Sequence, residues 1–348
     1  MKWSLNAPLK FLPKMKTNTT SNFARRHHTV QQSYLAHFTP TGEVGGVLYA
    51  HDLEGLKSWA SSTAGVAFEK DFYRVDLPGF DPDVIEKGFG HFEALAVSVL
   101  RSILNENRIP ADKDYEILMT FIAFQIIRVP AIRESFVQAD YELFRQILRQ
   151  NASLPDDELE ARLEPLKRAN PEFSNIAIED FRKFVESDAY TVKASQNTQM
   201  RTFAELLSNV GILAALLGQR KWSLLIADEC AGSIVTSDQP VNLNWTDKTP
   251  DRYERSPGYG LKNTVVHVPL SKTAMLRGRF DGESGEIVYL NESLVAGLNN
   301  IVIHGAKRFV YSTFKEFAWK TWDGSISGVS DLFRRERERR DSTFKEAS

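Results

Sequence analysis

The chain has a single cysteine, Cys230, among 348 residues. That excludes an internal disulfide and any zinc centre built from several thiolates. A reducing cytoplasm is the expected compartment. Long apolar runs are missing too. The longest, Val210 to Leu217, falls far short of the roughly 20 residues a membrane span needs, so no membrane association is expected. Charge of one sign is also lacking. A net charge of −2 and a pI near 6.4 leave no global basic field of the kind that drives nonspecific binding to DNA or anionic membranes. No P-loop, dinucleotide glycine fingerprint, Gly-Xaa-Ser-Xaa-Gly elbow, His-Glu-Xaa-Xaa-His pair or EF-hand loop occurs, which removes the familiar cofactor and nucleophile classes.

Apolar bulk, in contrast, is ample. A hydrophobic share of 42% with 22 Phe lies in the globular range and can fill a substantial core, so gross disorder is excluded. Residues 1–22, with Lys2, Lys10, Lys14 and Lys16 around pieces broken by Pro8 and Pro13, lack the continuous apolar run of a signal peptide and are expected to form a flexible lead.

An α+β fold is expected: a small N-terminal sheet segment, a long helical middle, and a mainly antiparallel C-terminal sheet with a terminal helix and strand. Residues 23–315 are expected as one globular domain, with the helical middle over 83–218 and the sheet part over 219–315. Val47 to Ala50 and Phe72 to Val75 resemble strands between glycine-rich turns. From Asp83 the apolar residues recur at three and four, as in Phe89, Phe92, Leu95, Ala96, Val99 and Leu100, and at least five helices fit before Gly218. The Pro-, Asp- and Glu-rich interval Asn151 to Asn175 predicts a short exposed helix between turns. Strand-like runs follow at Trp222 to Ala227, Ser233 to Thr236, Thr264 to Val268, Ala274 to Arg277 and Ile287 to Leu290. A helix from Asn291 to about Gly305 and a strand from Arg308 to Tyr311 close the fold. Residues 316–348 form a charged tail. Phe333 to Arg340 holds five Arg and two Glu, and because the signs alternate a solvated helical tail is favoured over a nucleic-acid-binding arm.

Four polar features in apolar settings could carry chemistry. His27 and His28 are adjacent, so in a strand they point to opposite faces and at most one serves a site. Glu86 and Glu93, seven residues apart, share a helix face, where two carboxylates can hold a cation, divide acid and base work, or stay exposed to solvent. Arg128 ends the apolar run Phe121 to Ile127 before Val129 and Pro130. It needs Glu93, Asp238 or an anionic ligand such as phosphate as partner, and the internal ion pair is favoured. Asp238, in Thr236-Ser237-Asp238-Gln239-Pro240-Val241, sits in a turn that either bonds its own backbone or displays a carboxylate at a strand end.

The order of these pieces resembles a bacterial family called domain of unknown function 4238. The resemblance rests on His28 with Tyr34-Leu35, Asp71-Phe72-Tyr73, Glu86 and Glu93, Arg128-Val129-Pro130, Ser237 to Val241 and Pro269-Leu270-Ser271. It covers roughly residues 25–312. Thr29 and Gln31 stand where the family usually has tyrosine and proline. Asn299 or Asn300, Ala306 and Arg308 resemble a further family motif near its end. The resemblance implies a shared site without an assigned reaction.

Taken together, His28, Glu93, Arg128 and Asp238 are expected to converge as a catalytic set between the helical middle and the C-terminal sheet. A divalent metal ion, if one is held, takes His28, Glu93 and Asp238 as ligands and activates water while Arg128 clamps a phosphate. That reading makes the protein a hydrolase of a phosphoester, with a nucleic acid or nucleotide as substrate and a toxin or defence role open. The alternative is a noncatalytic binding protein in which the same residues are structural ion pairs.

Overall fold

The computed structural model describes residues 25–74, 83–169, 175–188, 190, 204–246 and 256–346. The expected flexible lead at 1–22 lies outside them. The chain opens with β1 (Arg26–His28), a short helix α1 (Gln32–Leu35), β2 (Val47–Asp52), β3 (Lys57–Ser62) and β4 (Phe68–Lys70). Phe72 is in a turn rather than a strand, because Asp71 adopts a positive φ of 55° and its side chain is tied to Arg25 at 3.3 Å.

The helices α2 (Val84–Glu106), α3 (Asp112–Arg128), α4 (Pro130–Ala152), α5 (Asp156–Ala169), α6 (Ile178–Ser187) and α7 (Val210–Gly218) follow, with a further helical turn over 204–208 before α7. Asn107, left-handed at φ 50°, stops α2, a conformation asparagine tolerates better than most residues. The proline- and acid-rich interval is a helix as expected, α5.

Backbone packing divides the chain into two compact units, Met1–Pro130 with Glu205–Ser348, and Ala131–Ala204. In the second unit Leu159, Leu163 and Val185 are buried. Arg182 ties α6 to the turn before α5 by bonds to Asp156 at 2.7 Å and to the Ala152 and Leu154 carbonyls at 2.9 and 2.7 Å.

In the first unit β5 (Lys221–Ala227), β6 (Thr236–Ser237), β7 (Asn242–Trp245), β8 (Thr264–Ser271), β9 (Ala274–Arg279), β10 (Ile287–Leu290), α8 (Glu292–Gly305) and β11 (Phe309–Ser312) come next. The main sheet has the order β10-β5-β9-β8-β7, antiparallel except for the β10–β5 pair. A second sheet, β3-β2-β11-β6, joins the two ends of the chain: β11 pairs Val310 with His51 on one side and with Ser237 on the other. The buried residues Leu225, Met275 and Leu290 of the main sheet and Val295, Val302 and Ile303 of α8 belong to one core cluster.

Two stability tests follow from this core. Gly278 pairs across the sheet with Trp222, which is fully buried, and a Cβ at 278 would lie 2.9 Å from three ring atoms. Gly278→Ala is therefore expected to cost about 1–3 kcal/mol through overpacking, read as a lower urea midpoint at unchanged slope. Burial also lowers the His51 and His267 pKa values to about 4. The unfolded histidines take up protons near 6.5 while the folded ones resist to about 4. Stability is thus complete above pH 6.5 and lost as pH falls through that window. A urea midpoint that stays flat between pH 6.5 and 4 would contradict this.

The charged tail is not a loose appendage. Residues 316–346 form the hairpin β12 (Trp319–Lys320) and β13 (Ile326–Ser327) and the helix α9 (Val329–Glu346). Trp319, Val329 and Leu332 are buried, and Arg340 donates to the Leu53 and Glu54 carbonyls at 2.7 Å each. Its arginines are largely paired within the helix, as Arg334 and Arg335 with Asp331, so the alternating charge is a solvated helix face. Among the described residues no single helix is long and apolar enough to cross a membrane.

Candidate functional site

The site is centred on Arg128. Pro130 forces Val129 into extended backbone at ψ 136° and ends α3 at Arg128. The guanidinium is buried, 4.4 Å over the Phe89 ring and 5.8 Å from that of Tyr73. Nη1 donates to Glu93 Oε1 at 2.5 Å and Nη2 to the His28 carbonyl at 3.0 Å. The Tyr73 hydroxyl donates to the Arg128 carbonyl at 3.3 Å. One cation thus locks β1, the turn after β4, α2 and α3 together. The sequence left Glu93 and Asp238 open as the internal partner, and the pair formed is with Glu93.

The two histidines divide as an extended pair should. His27 is fully buried, accepts the Tyr73 N–H on Nδ1 at 2.6 Å and stacks on the Tyr73 ring at 5.7 Å. His28 keeps 9% of its surface exposed and meets the Phe68 ring edge-on at 6.0 Å. Its Nδ1 is buried without a partner. Burial, then the positive charges of Arg128 and Arg26, lower its pKa against the pull of Glu93, so the imidazole is neutral at neutral pH.

Glu86 lies two turns before Glu93 on α2. Burial raises its pKa, Arg128 opposes, and Glu93 and Asp83 add to the rise. Its Oε2 is buried without a hydrogen-bond partner. Burial also pushes the Tyr73 phenol up to about 12, with Arg128 lowering it and Glu86 and Glu93 raising it. Tyr73 therefore stays protonated among the two carboxylates and the guanidinium.

Further buried polar atoms without partners are Arg128 Nε, both amide atoms of Gln125 and Gln31 Nε2. Gln125 lies three residues before Arg128, on the same buried helix face. Buried polar atoms are normally satisfied, so unpartnered ones mark places for water or a ligand. Basic side chains stand close by. Arg26 covers Phe68 at 3.7 Å, and Arg25, Arg74 and Lys70 surround Asp71 closely enough to lower its pKa, the Arg25 hydrogen bond first.

Asp238 departs from expectation. Its oxygens accept the backbone N–H groups of Lys307, Arg308 and Phe309 at 2.9, 2.8 and 2.9 Å. Burial raises its pKa while these three donors pull the other way. The carboxylate clamps the start of β11 to the end of β6. Among the described residues no three His, Cys, Asp or Glu side chains lie together as a metal-ligand group. His28, Glu93 and Asp238 consequently do not form the expected metal set: Glu93 is engaged by Arg128, and Asp238 by the backbone of β11. The structure unites His28, Glu93 and Arg128, and adds Glu86 and Tyr73. Glu86 was signalled by its seven-residue spacing from Glu93. Tyr73 had no signal beyond its place in Asp71-Phe72-Tyr73.

Residues 26–316 match the family described as protein of unknown function (DUF4238), and the chain belongs to that family. The match stops before the β12–β13 hairpin and α9. No curated protein and no solved structure matches the chain.

Proposed function

We propose that the protein is a hydrolase of a phosphoester, a nucleotide or nucleic acid, working by acid–base chemistry at His28 and Glu86. The observation that carries this reading is that His28 Nδ1 and Glu86 Oε2 are each buried without a partner and each feels the charges of Arg128 and Glu93. Their environments push a neutral base and a protonated acid toward neutral pH, the arrangement that acid–base catalysis uses.

In this scheme His28 Nδ1 takes a proton from water as its oxygen bonds to phosphorus. The bond from phosphorus to the leaving oxygen breaks, and Glu86 returns a proton to that oxygen. Glu93 and the His28 carbonyl hold the guanidinium, which supplies fixed positive charge near the developing phosphorane. Arg128 spends one hydrogen of Nη1 on Glu93 and one of Nη2 on the His28 carbonyl, which leaves Nε and the second hydrogen of each Nη as donors. Arg25, Arg26, Lys70 and Arg74 add positive charge that suits an anionic substrate. The single cysteine is compatible with work in a reducing cytoplasm.

Glu86→Gln separates function from folding. A carboxyl whose folded pKa is raised binds more protons folded than unfolded, so its contribution falls as pH rises from its ordinary 4.5 through the folded value. Glu86→Gln is therefore expected to raise the urea midpoint at pH 7 while reducing hydrolysis at least ~100-fold. His28→Gln should reduce hydrolysis similarly. The assay uses mononucleotides, single-stranded RNA and DNA and a phosphodiester dye, each with and without chelator. Absence of hydrolysis on every substrate by a cooperatively folded protein would favour the noncatalytic binding reading, which the closed Arg128–Glu93 pair also suits.

A further inference from the structure

A second buried polar constellation crosses the main sheet. Antiparallel pairing sets Ser223 of β5 opposite Arg277 of β9, Arg277 opposite His267 of β8, and His267 opposite Asn242 of β7. Ser223 donates to Glu286, just before β10, at 3.2 Å. Directly paired residues project to one face, so a continuous polar row, Ser223-Arg277-His267-Asn242, crosses four strands and is extended by Glu286 just before β10. The next residues on that face, such as Leu225 and Met275, are core.

The His267–Asn242 end of this row is buried and unsatisfied, whereas the Arg277 side chain is 27% exposed. His267 and Asn242 retain 6% and 4% of their surface. His267 Nδ1, Arg277 Nε and both amide atoms of Asn242 lack partners, as does Asn300 Oδ1 on α8. Asn242 lies against the backbone of Gly305, where a Cβ would come within 1.7 Å of its Oδ1. The end of α8 therefore covers that end of the row. Its other end opens to solvent through Glu286, whose side chain is 53% exposed.

The charge at the centre is positive. Arg277 and Arg279 are the charges acting on His267. Asp281 is engaged by Arg279 at 3.0 and 2.8 Å, while Glu286 touches Arg277 only at 3.5 Å and from the far side of the row. Strands stand about 4.8 Å apart, so the oxygens of one small anion can meet donors on neighbouring strands. Charge-assisted bonds of that kind are stronger than the bonds water would offer.

We propose that this row is a binding site for a small oxyanion, a carboxylate or a phosphate, held between His267 and Arg277 with the Asn242 amide as a third donor. The site is separate from the Arg128 site and does not depend on the hydrolase reading.

The test titrates the full-length protein with inorganic phosphate, with acetate and with chloride at constant ionic strength and pH, following the imidazole resonances of His267 and His28 by NMR. The expected result is a saturable shift at His267 with phosphate or acetate but not chloride, and the tighter of the two identifies phosphoryl or carboxylate chemistry. Arg277→Gln should weaken binding at least ~tenfold, a difference of about 1.4 kcal/mol. A phosphate shift confined to His28 would mark the hydrolase site and overturn this proposal. So would no saturable shift at His267 with either anion, which leaves the row filled by water. Because the titration uses the unaltered protein, it decides the matter even if Arg277→Gln fails to fold.

Discussion

Arg128→Ala is expected to lower the stability of the protein by roughly 3–5 kcal/mol, the usual cost of removing one partner from a buried ion pair. The guanidinium ties α3 to β1 and α2 through the His28 carbonyl, Glu93 and the Phe89 face, while the Tyr73 hydroxyl bonds the Arg128 backbone carbonyl, a bond alanine would keep. Alanine leaves a carboxylate and a carbonyl without their donor and opens a cavity beneath Phe89. Arg128→Met with Glu93→Met should recover much of the loss, since an apolar pair of similar volume avoids the desolvation cost of both charges. Urea denaturation checks both variants. A loss below about 1 kcal/mol for Arg128→Ala, the range of exposed pairs, would show that Arg128 does not organise the site.

Asp238→Ala carries the second large effect. Three successive peptide N–H groups, of Lys307, Arg308 and Phe309, converge on one carboxylate. A donor left without an acceptor costs about 1–3 kcal/mol. With partial access to water the expected total is on the order of 3 kcal/mol. Asp238→Asn, which keeps one acceptor oxygen, should lose less. The variant also tests the catalytic role the sequence suggested for this residue: unchanged stability with lost hydrolysis would restore that role, whereas the expected outcome is a lower urea midpoint with hydrolysis retained by the folded protein.

The helices and most strands were legible because their signals are local. The three- and four-residue spacing that begins at Phe89 marks α2, and the break before Pro130 marks the end of α3. Runs such as Ile287 to Leu290 mark strands without reference to a partner. Less legible were β3, with the alternating but weakly apolar Lys57–Ser62, and β7, whose Asn242 and Asn244 do not look like core. Phe72 to Val75 misled for the opposite reason: its aromatic, β-branched composition suits a strand, but Asp71 turns the chain at φ 55° and Arg25 holds it there.

At the site, His28, Glu93 and Arg128 could be selected because a charged or titratable group in an apolar run needs a partner. Which partner Arg128 takes is a matter of long-range geometry. Asp238 satisfied the same local criterion, yet its oxygens face the peptide groups at the start of β11.

By itself the sequence determined the α+β class, the helical middle, the absence of disulfides and the short set of polar residues that burial would oblige to find partners. These follow from periodicity, composition and the cost of isolating a charge, all of which act over a few residues. Only the tertiary structure decided that β11 pairs with both β2 and β6 in one sheet, that Tyr73 and Glu86 gather at Arg128 while the Asp238 carboxylate binds the start of β11, and that Asn242, His267, Arg277, Ser223 and Glu286 form one row. Those outcomes depend on strand register and helix packing between residues far apart in the chain, and a register displaced by one residue would turn every member of that row to the opposite face.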